Sequence, residues 1–129
     1  MKACASSAGN DLNAPIDPRF GRCRIFLFVD TETMEYEAVE NPAMMSGGGA
    51  GTQAAQLVAN KGATAVLTRN VGPNAFSALE AAGIKIYVGL SGTVQDAIKR
   101  LNQGSLQETK GATVSRHFGT GRGSGRGRR

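Results

Sequence analysis

Ile25-Phe26-Leu27-Phe28-Val29-Asp30, followed after the polar Thr31–Met34 by Glu35-Tyr36-Glu37-Ala38-Val39-Glu40, decides the architecture of this chain. The first run is apolar and of strand length, which predicts a buried strand. The second alternates acidic and apolar residues, the pattern of a strand with one wet face. A short polar turn between them predicts an antiparallel hairpin.

Upstream, Lys2–Ser6 reads as a first strand, and Asp11–Arg22, rich in Pro, Gly, Asn and Asp, as a loop. Downstream, Gln53–Lys61 carries Ala54, Leu57 and Val58 at helical spacing, with Gly62 as its stop. Ala65–Thr68 is a buried strand. Asn74 is the expected N-cap of a second helix lined by Ala75, Phe76, Leu79 and Ala82, which Gly83 stops. Ile84–Val88 is a strand. Thr93 opens a third helix, with Asp96 completing a capping box and Gly104 ending it. The order β-β-β-α-β-α-β-α is a hairpin feeding βαβα units. It predicts an α/β domain with a mixed five-stranded sheet and helices packed on it. Ligands of such sheets bind beyond the carboxyl ends of strands, where the loops at 7–23, 41–51 and 69–74 are expected to converge.

The chain has 129 residues and a net charge of +5. Of its 15 Lys and Arg, five lie beyond residue 110, at Arg116, Arg122, Arg126, Arg128 and Arg129; the 10 that remain balance the 10 Asp and Glu. The basic character therefore belongs to the tail and does not mark the domain as a nucleic-acid-binding surface. The expected division is a domain at 1–108 and a disordered Gly/Arg-rich tail at 109–129, which has too little apolar area to order itself. No apolar run is long enough for a membrane span. The start of the sequence lacks a secretory leader, so a cytoplasmic location and free thiols at Cys4 and Cys23 are expected.

Arg19-Phe20-Gly21-Arg22-Cys23 combines fixed positive charge, a glycine and a soft donor in the loop before the hairpin. Guanidiniums at Arg22 and Arg24 favour the Cys23 thiolate, the form that ligates metal; the alternative is a small semi-buried residue entering a strand. Gly47-Gly48-Gly49-Ala50-Gly51-Thr52 before a helix is a candidate anion cradle of backbone N–H groups, or simply a tight helix start. It is neither a Walker A loop nor a dinucleotide fingerprint. Met44 and Met45 offer thioethers to soft ions, or cover for the sheet edge. Cys4 reads as a small core residue. A single histidine, His117, falls in the tail and supports neither a histidine metal cage nor a catalytic triad. No carboxylate pair compels acid–base catalysis, so no enzyme is expected.

Residues 2–108 resemble the dinitrogenase iron–molybdenum cofactor biosynthesis family. The resemblance is carried by Asp17–Cys23, Val29-Asp30, Glu40-Asn41-Pro42, the Gly47–Gly51 loop, Gly72-Pro73-Asn74-Ala75, and Gly89 with Ser91–Val94. It implies a ribonuclease-H-like fold without nuclease carboxylates. It also implies binding or carriage of an anionic metal–sulfur cluster without turnover. That cluster is a molybdenum–copper sulfide, as in the orange protein type, or an iron–molybdenum type. Cofactor-assembly or ATPase proteins are the implied partners. Nitrogenase-linked members often carry His before Phe-Gly, where this chain has Arg19, so holding by charge is implied more than direct coordination. The expected contacts are Arg19, Phe20, Gly21, Arg22, Met44, Met45, Gly48, Gly49, Gly51, Thr52, Arg69 and Asn70, with Cys23 as a metal ligand. A competing expectation is a nucleic-acid-associated module whose Gly/Arg tail binds RNA.

Overall fold

In the computed structural model the described residues are 1–43 and 49–113. Met44, Met45, Gly47, Gly48 and His117 lie outside them, as does the tail from residue 114. Five strands form one sheet: β1 (Lys2–Ser7), β2 (Ile25–Asp30), β3 (Tyr36–Glu40), β4 (Ala65–Leu67) and β5 (Lys85–Tyr87). Their order is β3-β2-β1-β4-β5. The hairpin pairs β2 with β3 from Ile25↔Glu40 to Val29↔Tyr36, and β1 lies antiparallel to β2, from Lys2↔Asp30 to Ser7↔Ile25. β4 joins β1 in parallel, Cys4 opposite Val66, and β5 joins β4 in parallel. The expected mixed five-stranded α/β sheet is therefore the observed one.

Helices α1 (Ala50–Asn60), α2 (Pro73–Ala81) and α3 (Val94–Asn102) cover the two faces. Side chains alternate along each strand, so each face acquires its own core. On one face Cys4, Phe26, Phe28, Val66 and Ile86 meet Ala54, Val58, Ala75 and Leu79 of α1 and α2. On the other, Ala3, Ala5, Leu27, Val29 and Leu67 meet Val94, Ala97 and Ile98 of α3. β2 contributes to both cores, which is why its run is continuously apolar. Each fully buried Leu, Val or Phe contributes about 1.5–3 kcal/mol.

Several sequence expectations shift at their edges. Asn74 does not cap α2: the helix starts earlier, with Gly72 at the N-cap position and Pro73 in the first turn. Proline has no N–H to leave orphaned there and its φ is already helical. Thr93 and Asp96 do form the reciprocal capping box, with Asp96 N–H donating to Thr93 Oγ1 at 3.0 Å. β3 is wet on both faces, with only Val39 half-buried. It is an edge strand, and the helices lie over its neighbours. The described residues run on past 108 to 113. Glu108 bridges Tyr87 along the outer edge of β5, Thr109 N–H donates to Ile86 C=O at 2.8 Å, and Thr113 reaches Val71.

Candidate functional site

β1, β3, β4 and β5 all point their carboxyl ends the same way, and β2 begins at that end. The loops after β1, β3, β4 and β5 therefore gather on one rim. The loop from β1 to β2 is tied down first. Ser6 Oγ donates to Asp17 C=O at 2.8 Å and pairs with Thr68 Oγ1 at 2.7 Å, all buried. Asp17 Oδ1 then accepts Arg19 N–H at 2.9 Å, closing a turn, and lies 3.7 Å from Arg19 Nε. That ion pair is half-exposed, so its worth is at most about 1 kcal/mol; its effect is to orient the arginine. Arg19 bridges Asn70 in parallel fashion, and Phe20 N–H donates to Asn70 C=O at 3.3 Å. The loops at 7–23 and 69–74 thus meet as expected.

Gly21 makes the second junction. A Cβ there would stand 3.1 Å from both Cα and N of Gly51, and a Cβ on Gly51 would stand 3.0 Å from the Ala75 Cβ. The signature loop, the first turn of α1 and the first turn of α2 are thereby held in backbone contact. Asn41 clamps the arrangement from the end of β3. Its Nδ2 donates to Gly21 C=O at 3.0 Å and Cys23 C=O at 2.9 Å, while its Oδ1 accepts Ala43 N–H at 2.9 Å. Asn41 was not among the expected site residues. Its signal is an asparagine between a strand end and Pro42, where an amide can serve several loop backbone groups at once.

The helix starts at this rim differ in their electrostatics. α3 is satisfied internally: Val94 N–H donates to Ala14 C=O, Gln95 N–H to Leu12 C=O, and Asp96 lies in its first turn. α1 starts at Gly49, in the left-handed region with φ 75°, without a side-chain cap or an acid in its first turn. α2 likewise starts without a side-chain cap or an acid. Each helix start carries roughly half a positive charge, so the Gly21–Gly51–Ala75 junction combines two such dipole ends. Exposed Arg19, Arg22 and Arg69 stand on the loops around it.

Gly49 and Thr52 are exposed, Gly21, Gly51 and Asn70 half-buried, all on this rim. Phe20 is 2% exposed, its ring tilted against Phe26 at 5.4 Å; it anchors the loop from below. Cys23 is fully buried, its thiol donating to Phe20 C=O at 3.4 Å. Burial, then the nearby Asp17 carboxylate, pushes the Cys23 thiol well above its ordinary range. The expected tilt toward thiolate is therefore reversed, because the side chain turns into the core, away from the flanking guanidiniums' solvent. Cys4 is buried as expected, and its thiol is raised by burial and by Cys23. Among the described residues no group of three or more His, Cys, Asp or Glu is arranged to hold a metal ion.

The profile of the family described as dinitrogenase iron-molybdenum cofactor matches residues 1–104. The chain belongs to this family. The dinitrogenase iron-molybdenum cofactor family is the one that the Asp17–Cys23 and Gly72–Ala75 motifs resemble, and its membership gives the chain a cofactor-related binding or carrier role. Similar proteins share the fold closely. The apo form of the orange protein from Desulfovibrio gigas superposes with a TM-score of 0.85 at 40% identity, over 87% of this chain and 95% of that one. A Thermotoga protein of the DUF35 family, described as a candidate NifB protein, gives 0.73 at 38% identity, over 83% of this chain and 91% of its own. An uncharacterized protein of Methanocaldococcus jannaschii is 35% identical over 99 residues, 74% of this chain and 84% of its own. Among the described residues no helix is long and apolar enough to cross a membrane.

Proposed function

We propose that this protein binds and carries an anionic metal–sulfur cluster, of the molybdenum–copper sulfide or iron–molybdenum type, without turning it over. The observation that carries this reading is the Gly21–Gly51–Ala75 junction, where two acid-free helix starts meet and whose neighbouring loops carry the exposed Arg19 and Arg69. A sulfide-rich polyanion is large and weakly hydrated. Guanidinium groups, also weakly hydrated and rich in N–H donors, suit it better than ammonium groups. Backbone N–H groups at Gly49, Gly51 and Thr52, in the first turn of α1, are the donors this reading assigns to sulfide or oxygen atoms. The 40% identity to the orange protein of Desulfovibrio gigas supports a cargo of that kind.

Charge and N–H donation carry the binding in this proposal. Cys23 has no part in it, since ligation would require a buried neutral thiol to leave the core and lose its proton. Met44, Met45 and Gly48 enter on sequence grounds, as thioether and backbone contacts from the loop that leads into α1. The cluster arrives from, or passes to, cofactor-assembly or ATPase proteins in the reducing cytoplasm.

Anaerobic titration with tetrathiomolybdate and copper(I) tests the reading. The expected result is stoichiometric uptake with new charge-transfer absorption that survives gel filtration. Failure to take up either this cluster or an iron–molybdenum cluster contradicts it.

A further inference from the structure

The two edges of the sheet are finished differently. Along β5 the outer edge is covered: Glu108 bridges Tyr87, and Thr109 N–H donates to Ile86 C=O at 2.8 Å. Along β3, nothing among the described residues pairs with the outer edge. The register fixes which groups stand there. Asp30 N–H donates to Glu35 C=O at 2.8 Å, and Asn41 N–H to Arg24 C=O at 3.0 Å. Bonded pairs alternate along an antiparallel ladder, so Glu35, Glu37, Val39 and Asn41 direct their backbone groups to β2. Tyr36, Ala38 and Glu40 direct theirs outward. Side chains alternate as well. Val39 packs against the core under α1 and α2, and Glu37 Oε2 lies 3.0 Å from Lys61 Nζ, so Glu35 and Glu37 share that face. The other face carries Tyr36, 44% exposed, and Ala38, which stand opposite Val29 and Leu27. The strand and its approach hold Glu35, Glu37 and Glu40, and Lys61 offsets one of them.

We propose that the outer edge of β3 is a docking strand for an extended basic segment of a partner protein, which adds to the sheet. Main-chain bonds to Tyr36, Ala38 and Glu40 supply affinity, and the alternating side chains supply selectivity. Lys or Arg at alternate positions faces Glu35 and Glu37, while the apolar positions between them cover Tyr36 and Ala38. Charge on an edge strand prevents indiscriminate pairing, and an acidic edge still admits a strand of opposite sign. A second copy of this chain does not fit, because it would bring Glu35, Glu37 and Glu40 alongside the same three residues, and like charges across a ladder destabilise it. β3 runs directly into Asn41, which clamps the carbonyls of Gly21 and Cys23. A segment docked on β3 therefore ends beside the candidate rim. The inference does not depend on which cargo that rim holds.

The probe is a synthetic peptide of alternating lysine and valine, with a glutamate–valine peptide as control, titrated against the full chain by fluorescence anisotropy. At about 50 mM salt, where charges are weakly screened, the lysine peptide alone should bind. It should slow amide exchange at Tyr36, Ala38 and Glu40 more than at Glu37 and Val39, which already bond to β2. Ala38→Pro removes one outward N–H and no bond to β2, a change that edge strands tolerate, and should weaken binding about tenfold. The paired variant Glu35→Lys with Glu37→Lys should lose about as much through charge alone. If Ala38→Pro does not fold, the exchange pattern and the charge-reversed chain decide. Absence of binding, binding that the charge-reversed chain keeps in full, or protection spread away from β3 overturns the proposal. A dimer in sedimentation that the charge-reversed chain alters and the peptide displaces would assign the edge to a second copy, and would overturn it too.

Discussion

Gly21 and Gly51 are in backbone contact: a Cβ on Gly21 would lie 3.1 Å from Gly51 Cα and 3.1 Å from Gly51 N. The neighbour is helix backbone, which cannot yield as a flexible side chain would. Gly21→Ala should therefore force the signature loop away from α1 at a cost of about 1–3 kcal/mol. Urea unfolding measures the stability, and the same variant should bind tetrathiomolybdate more weakly. Unchanged stability would mean that the loop and helix are not locked together.

Asn41 is the second organiser of the rim. Asn41→Ala leaves the carbonyls of Gly21 and Cys23 and the N–H of Ala43 without their amide partner. Buried unsatisfied groups cost about 1–3 kcal/mol each before water or relaxation compensates, so a net loss of about 2–3 kcal/mol is expected in equilibrium unfolding. Asn41→Asp should be no better, since a carboxylate cannot donate to two carbonyls.

The two cysteines give a pH prediction. Burial raises both thiols in the folded chain, whereas an unfolded thiol ionises near about 8.5. Above that pH the unfolded state binds fewer protons than the folded one, so stability is intact below it and falls as pH rises. The slope is up to about 1.4 kcal/mol per pH unit for each cysteine. Urea midpoints measured from about pH 7 to about pH 10 should fall less steeply in Cys4→Ala and Cys23→Ala variants. Ellman's reagent at about pH 8 should react with neither thiol faster than the protein opens.

The third helix offers a measurement away from the proposed cargo contacts. Thr93→Ala removes the side-chain acceptor of Asp96 N–H and should cost about 1 kcal/mol in unfolding free energy. Tetrathiomolybdate affinity should stay the same, because α3 is already neutralised by Asp96 and by the loop carbonyls of Leu12 and Ala14.

What could be read from the chain depended on how local the deciding physics was. The apolar run of β2, the Thr93–Asp96 box and the glycine stops at Gly62 and Gly83 are local signals, and each reappears in the structure. At the start of α2 the sequence signal points to Asn74, which has a good capping side chain, but Pro73 fits the first helical turn better. Convergence of the Arg19 and Asn70 loops followed from the parallel topology. The Cys23 environment could not be inferred in the same way: flanking arginines are visible in sequence, while the inward turn that buries the thiol depends on Phe20, Asn41 and the α1 contact. The Thr113 attachment was hidden for a similar reason, since nothing in a Gly/Thr-rich segment announces a backbone partner 42 residues earlier.

The central claim is that charge and backbone N–H groups hold the cargo, without thiolate ligation. The most direct measurement is tetrathiomolybdate affinity for the unaltered chain, for the paired variant Arg19→Gln with Arg69→Gln, and for Cys23→Ala, at low and high salt. The account predicts that the arginine variant loses about tenfold or more at low salt, with a shallower salt dependence, while Cys23→Ala binds nearly as well as the unaltered chain. Loss of binding in Cys23→Ala with full retention in the arginine variant would contradict it.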